Sequence, residues 1–142
     1  MFQFRLAAIM RLREYHEKQR REEVARCLQL LNAALRRENE LKEQLSDLEK
    51  EIAERQEGTI QIEDVVIRQN YRIYLQKLLD GQSKLVALRQ NQLQEAKQKL
   101  LEAMKEKKVL QKLQEKKFAE YVYEQEKKEQ ALQDELAGGR RK

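Results

Sequence analysis

The stretch Gln56-Glu57-Gly58-Thr59-Ile60-Gln61-Ile62 decides the fold, because it is the one internal interruption between two long runs of helical spacing. It holds the chain's only Thr, a Gly, and the alternating β-branched Ile60 and Ile62. Gly reaches positive φ at low cost and commonly stands at the C′ position that ends a helix. Thr59 can then serve as the N-cap of the next helix. Glu63 and Asp64 fall in that helix's first turn, where the backbone dipole favours negative charge. These signals predict a helix over about 4–56, a turn over about 57–61 and a longer helix over about 62–137, folded back on the first. One helix with a loose spot, paired with a second chain, is the competing arrangement.

The rest of the chain agrees with an all-α class. Charged residues make up 39% of the 142, Pro and Trp are absent and Gly occurs four times. Such a chain has few means of making turns. Its apolar residues lie in stripes, the pattern of a coiled coil, so a single elongated coiled-coil domain over 1–142 with a seam for a core is expected. One Cys forms no internal disulfide and no metal-ligand pair is present, which indicates a reducing compartment. The start has no apolar region of signal-peptide length, and no apolar run approaches the roughly 20 residues that span a bilayer. A cytoplasmic protein follows as the expectation.

In the first helix Val24, Leu28, Leu31 and Leu35 repeat at 4-3-4, as do Leu41, Leu45, Leu48 and Ile52. Leu35 to Leu41 is one residue short of a heptad, so the stripe is expected to shift round the helix there. Between Arg13 and Glu23 it fades, with only Tyr15 to hold it. In the second helix the expected seam is Tyr71, Leu75, Leu78 and Leu85, then Leu93, Ala96, Leu100 and Ala103, then Leu110 and Leu113. Gly81 interrupts this helix without breaking the pattern; close packing is the simplest account. Gly138 to Lys142 are expected to fray as a basic tail. The second helix is the longer, so about 118–137, with Phe118, Tyr121 and Tyr123, should overhang without a partner.

Charge is unevenly placed along a chain of net +5. Residues 1–37 hold nine Lys/Arg and four Glu, whereas 38–57 hold eight acids and three bases. Residues 66–117 hold thirteen bases and five acids, and 118–136 six acids and two bases. A reversal at Gly58 places residue i near roughly residue 118 − i. The basic start then meets the basic 97–117 stretch, and the acidic 38–57 segment meets Arg68, Arg72 and Lys77. The end carrying both termini is expected to be electropositive, which bears on partners and steering.

No enzyme constellation is present. His16 lies in a charged helix, Cys27 reads as a small buried hydrophobe beside the seam, and no Gly-rich phosphate loop or base-paired nucleophile occurs. A two-helix seam hardly offers the concave pocket that catalysis requires. The chain is therefore expected to be no enzyme, with no cofactor and no metal. Lys105-Glu106-Lys107-Lys108 and Lys116-Lys117 have the charge for phosphate contacts, but they alternate with Glu and lack a stacking platform. Nucleic-acid binding is thus the weakest reading, behind that of a general structural coiled-coil dimer.

The chain resembles the FliJ family of flagellar type III export proteins. The likeness rests on Phe2-x-Phe4-Arg5-Leu6, Leu12-Arg13-Glu14 with Glu17 following, Tyr71-x-x-x-Leu75-x-x-Leu78, Glu106-x-Lys108-x-Leu110-x-Lys112-Leu113 and Glu120-Tyr121. It covers nearly the whole length, and the order of these features carries it rather than any one motif. The resemblance implies an antiparallel two-helix coiled-coil hairpin similar to the central stalk of rotary ATPases. It implies a non-enzymatic part of the export apparatus, at the cytoplasmic face of the membrane at the flagellar base. The implied partners are the hexameric export ATPase FliI, the export-gate protein FlhA and substrate chaperones, which the family escorts. By this likeness the end with both termini enters the ATPase ring, with Arg5, Arg11, Arg13, Lys107, Lys108, Lys112 and Lys116 steering and Phe4, Leu6 and Tyr121 anchoring. The half near the turn meets the gate, through Leu41, Leu45, Leu48, Ile52, Tyr71, Tyr74 and Leu78. A locally repacked coiled coil, with all of that second set inside, is the alternative for it.

Overall fold

The computed structural model describes residues 2–55 and 61–140, and side-chain environments over 5–55 and 61–139. Two α-helices make up the described chain: α1, Phe2–Arg55, and α2, Ile62–Arg140. Gly58 and Thr59, and with them most of the expected turn, lie outside the described residues. The cap position of α2 falls to Gln61 instead of Thr59. Its carbonyl accepts from the amides of Asp64 and Val65, at 3.1 and 3.3 Å, and the residue whose carbonyl takes the first intrahelical bond is the N-cap. Glu63 and Asp64 occupy the first turn as expected. At the far end α2 runs on through Gly138 and Gly139 to Arg140, where fraying was expected.

The helices group into two compact units, one of 1–19 with 101–142 and one of 20–100. Within each, α1 and α2 run antiparallel, which gives the chain the fold class of a two-helix coiled-coil hairpin. In the 20–100 unit, Gln82 donates to the carbonyl of Ala34, Arg72 meets Glu49 and Arg68 meets Glu51. The numbers of each pair add to between 116 and 121. The acidic end of α1 thus faces Arg68 and Arg72 as the charge pattern requires.

The core of this unit is a seam of two clusters. Cys27, Leu31 and Ala34 pack with Val86, Leu93 and Ala96, flanked by Val24 and Leu35. Leu41, Leu45 and Leu48 pack with Leu75, flanked by Ile52 and Leu79. Along α1 the inward positions are therefore 24, 27, 31, 34, 38, 41, 45, 48 and 52, an unbroken alternation of three and four. The expected shift between Leu35 and Leu41 does not occur. Leu28, taken for a seam residue, is 45% exposed, and the seam passes through Cys27 and Ala34. Glu38 fills the gap between the clusters, with its side chain 13% exposed and its carboxylate 3.3 Å from Lys42 Nζ. Such i,i+4 pairs hold a polar group without demanding a buried partner.

On α2 the inward positions are Leu75, Leu79, Gln82, Val86, Arg89, Leu93, Ala96 and Leu100, again at 4-3. Tyr71 and Leu78 are exposed, so they leave the expected seam. Gly81 also departs from expectation, because a Cβ built there meets nothing within 4 Å. No neighbour requires the glycine, and a helical Gly costs about 1 kcal/mol against Ala. Gly81→Ala is therefore expected to raise stability by about 0.5–1 kcal/mol, read as a higher midpoint in urea at unchanged slope.

The 1–19/101–142 unit is joined by charge. Arg13 Nη1 donates to Glu106 Oε2 at 2.6 Å, and Lys107 Nζ stands 3.1 Å from Glu17 Oε2. Glu17 is buried, and Ala103 is the buried apolar residue of α2 here. The fading of the apolar stripe past Arg13 thus has a cause: Arg13 and Glu17 themselves occupy the inward positions, while Tyr15 is exposed. Two basic segments meet, and the scarce acids Glu17 and Glu106 lie between them. Beyond Gln114 every described residue of α2 is exposed.

Candidate functional site

Each unit presents a surface whose residue types differ from the rest of its exterior. In the 20–100 unit, α2 carries a second apolar stripe one residue out of phase with the seam. Ile67, Tyr71, Tyr74 and Leu78 repeat at 4-3-4, and Leu85 and Leu88 continue the spacing through Gly81. Ile67 is 65% exposed, Tyr74 56% and Leu88 51%. The rings of Tyr71 and Tyr74 lie near parallel, 25° apart with centroids at 6.3 Å. A displacement by one residue turns the stripe about 100° round the helix, away from α1. An apolar stripe at heptad spacing is what a partner helix or extended peptide packs against. Nearby, Arg68 reaches Glu51 at 3.4 Å, and its Nη1 is buried without an acceptor among the described residues.

The gate-contacting set read from the sequence divides here. Leu41, Leu45 and Leu48 are corrected to core: all are under 9% exposed and pack on Leu75, so none reaches a partner. Ile52 is half-buried at the edge of the same cluster. Tyr71, Tyr74 and Leu78 stand outside, joined by Ile67 and Leu88, which the sequence reading did not single out; Leu85, expected in the seam, is half-buried on the same stripe.

In the 1–19/101–142 unit, Arg5, Arg11, Lys108, Lys112 and Lys116 are exposed cations, and Tyr121 is exposed beside them in sequence. Leu6 is half-buried, and the side chain of Phe4 lies outside the described residues. Arg13 and Lys107 stand apart from this group, since both are taken up in pairs between the helices. Their charge is largely spent inside the unit. The remaining cations lie on both helices, Arg5 and Arg11 on α1 and Lys108, Lys112 and Lys116 on α2, and Cys27, the one thiol, is buried in the other unit's seam. Among the described residues no His, Cys, Asp and Glu grouping suits a metal ion, and no helix is long and apolar enough to cross a membrane.

Comparison with known proteins places this arrangement. A family model described as the flagellar FliJ protein matches residues 2–140. The chain belongs to the FliJ family. Searches of curated proteins and of solved structures found no match. As a FliJ-family protein it is a component of the flagellar export apparatus, and the family is a structural, non-enzymatic one.

Proposed function

We propose that this FliJ-family chain links two parts of the export apparatus through its two surfaces. The exposed cations of the 1–19/101–142 unit meet the hexameric export ATPase, and the outward stripe of the 20–100 unit meets the export gate. The observation that carries the reading is the second stripe, Ile67-Tyr71-Tyr74-Leu78, exposed at heptad spacing in a family of export components. Tyr is enriched among the residues that dominate binding at interfaces, where truncation costs about 2 kcal/mol or more. For the ATPase, Arg5, Arg11, Lys108, Lys112 and Lys116 supply the field that steers an acidic or carbonyl-lined partner, with Leu6 and Tyr121 as apolar anchors. Escort of substrate chaperones, and a place at the cytoplasmic face of the flagellar base, belong to the same reading, with the family membership as their support.

The test is a pull-down with the flagellar ATPase and the gate's cytoplasmic domain. Tyr71→Ala with Tyr74→Ala should abolish retention of the gate domain and leave the ATPase bound. Lys108→Glu, Lys112→Glu and Lys116→Glu together should weaken ATPase association at low salt and flatten its salt dependence. Gate retention by the double tyrosine variant would remove the stripe from the interface. Unchanged ATPase binding by the charge-reversed chain would do the same for the cationic face.

A further inference from the structure

One long face of α2 lies outside the seam and overlaps the cationic surface above at Lys108 and Lys112. Leu101, Met104, Phe118, Val122, Leu132 and Leu136 fall on a single 3-4 alternation, one residue beyond the seam positions. All six are exposed, from 36% at Val122 to 62% at Leu136. The intervening positions of the same stripe are polar: Lys108, Gln111, Glu115, Gln125 and Glu129. Beside its first half lies a shallow groove of about 360 Å³, floored by Leu101 and Met104 and rimmed by Lys105, Lys107 and Lys108. Along its second half, past Gln114, every described residue is exposed. In proteins most helical stability comes from packing an amphipathic face.

The charge along this stretch of α2 changes sign at its midpoint. Residues 101–117 hold six bases and three acids, while 118–136 hold six acids and two bases. A surface that is basic in one half and acidic in the other is complementary to itself when reversed. The groove needs an acidic helix with apolar residues at heptad spacing, and 118–136 of another copy is such a helix. We propose that two copies of the chain associate antiparallel through this face, the acidic half of each lying on the basic half of the other. This arrangement is isologous and closes as a dimer. A register in which paired residue numbers add to about 240 sets Phe118 against Val122 and Met104 against Leu136 across the pair. It also brings Lys112 of each copy alongside Glu126 of the other. Five polar residues within the stripe keep the association weak and salt-dependent. The face includes Lys108 and Lys112, so a chain paired in this way withholds them from any other partner.

The experiment uses the full chain alone, so its outcome does not depend on the ATPase or gate reading. Sedimentation equilibrium should show a monomer–dimer equilibrium whose dissociation constant rises about tenfold or more between about 0.05 M and about 0.5 M salt. One variant carries Lys105→Glu, Lys108→Glu and Lys112→Glu, and another Glu126→Lys, Glu129→Lys and Glu135→Lys. Each should remain helical by circular dichroism and sediment as a monomer, because like charges now face each other. Mixed in equal amounts, they should form the dimer again, since each half meets its opposite. A wild-type chain that stays monomeric at every concentration at low salt would overturn the proposal. Dimers formed by either variant alone, or none in the mixture, would overturn it equally.

Discussion

Leu75→Ala is expected to destabilise the chain by about 2–5 kcal/mol, the usual effect of deleting a buried leucine. Leu75 is 2% exposed and is the α2 side of a cluster in which Leu41, Leu45 and Leu48 supply α1. Removing three carbons there strips contacts from all three leucines at once. The two helices have no second layer to collapse into the space, so the cavity term adds to the lost transfer energy. Tyr74→Ala, one residue away, is expected to change stability by no more than about 0.5 kcal/mol, because surface substitutions rarely do more. Tyr74 is 56% exposed, with its ring centroid 6.3 Å from that of Tyr71. Urea unfolding followed by circular dichroism measures both. Equal losses for the two variants would show that the tyrosines belong to the core.

That neighbouring pair also explains what could be read from the sequence and what could not. The hairpin and the pairing of the acidic 38–57 segment with Arg68 and Arg72 follow from one break and from charge, and both are legible in composition. The phase of the seam is harder, because two apolar stripes run one residue apart. Leu28 and Leu35 outrank Cys27 and Ala34 in bulk, yet the smaller residues face inward. The signal was the six-residue step from Leu35 to Leu41, which becomes a full heptad when the count starts at Ala34. On α2 the run Tyr71, Leu75, Leu78 mixes the stripes, and only Leu75 belongs to the seam. Where Gln82 or Arg89 takes an inward position, hydrophobicity gives no trace of it. Gln82 is legible only as the donor to the Ala34 carbonyl, 3.0 Å away. For the partner surfaces, burial made the division: the family likeness placed Leu48 and Tyr74 together, and packing separated them.

Lys107→Leu is expected to cost about 3 kcal/mol, although it puts a better seam residue into the coiled coil. The Glu17 side chain is 7% exposed, and its carboxylate lies 3.1 Å from Lys107 Nζ, whose own side chain is 26% exposed. Taking away the ammonium leaves a charge in a place from which water is largely excluded, and breaking one side of such a pair costs about 3–5 kcal/mol. Glu17 has a further interaction in the chain, which holds the loss to the lower end of that range. Replacing both residues removes the penalty. Glu17→Leu with Lys107→Leu should match or exceed the stability of the natural chain, since buried ion pairs are often neutral or inferior to packed apolar ones. The pair therefore contributes register instead of net stability. It fixes which residue of α2 faces the start of α1, where the apolar stripe is too thin to do so. The double variant tests this directly: its melting temperature should hold while its amides over residues 5–19 exchange faster, because neighbouring registers become accessible. A double variant as unstable as Lys107→Leu alone would show that the pair does hold the unit together by energy.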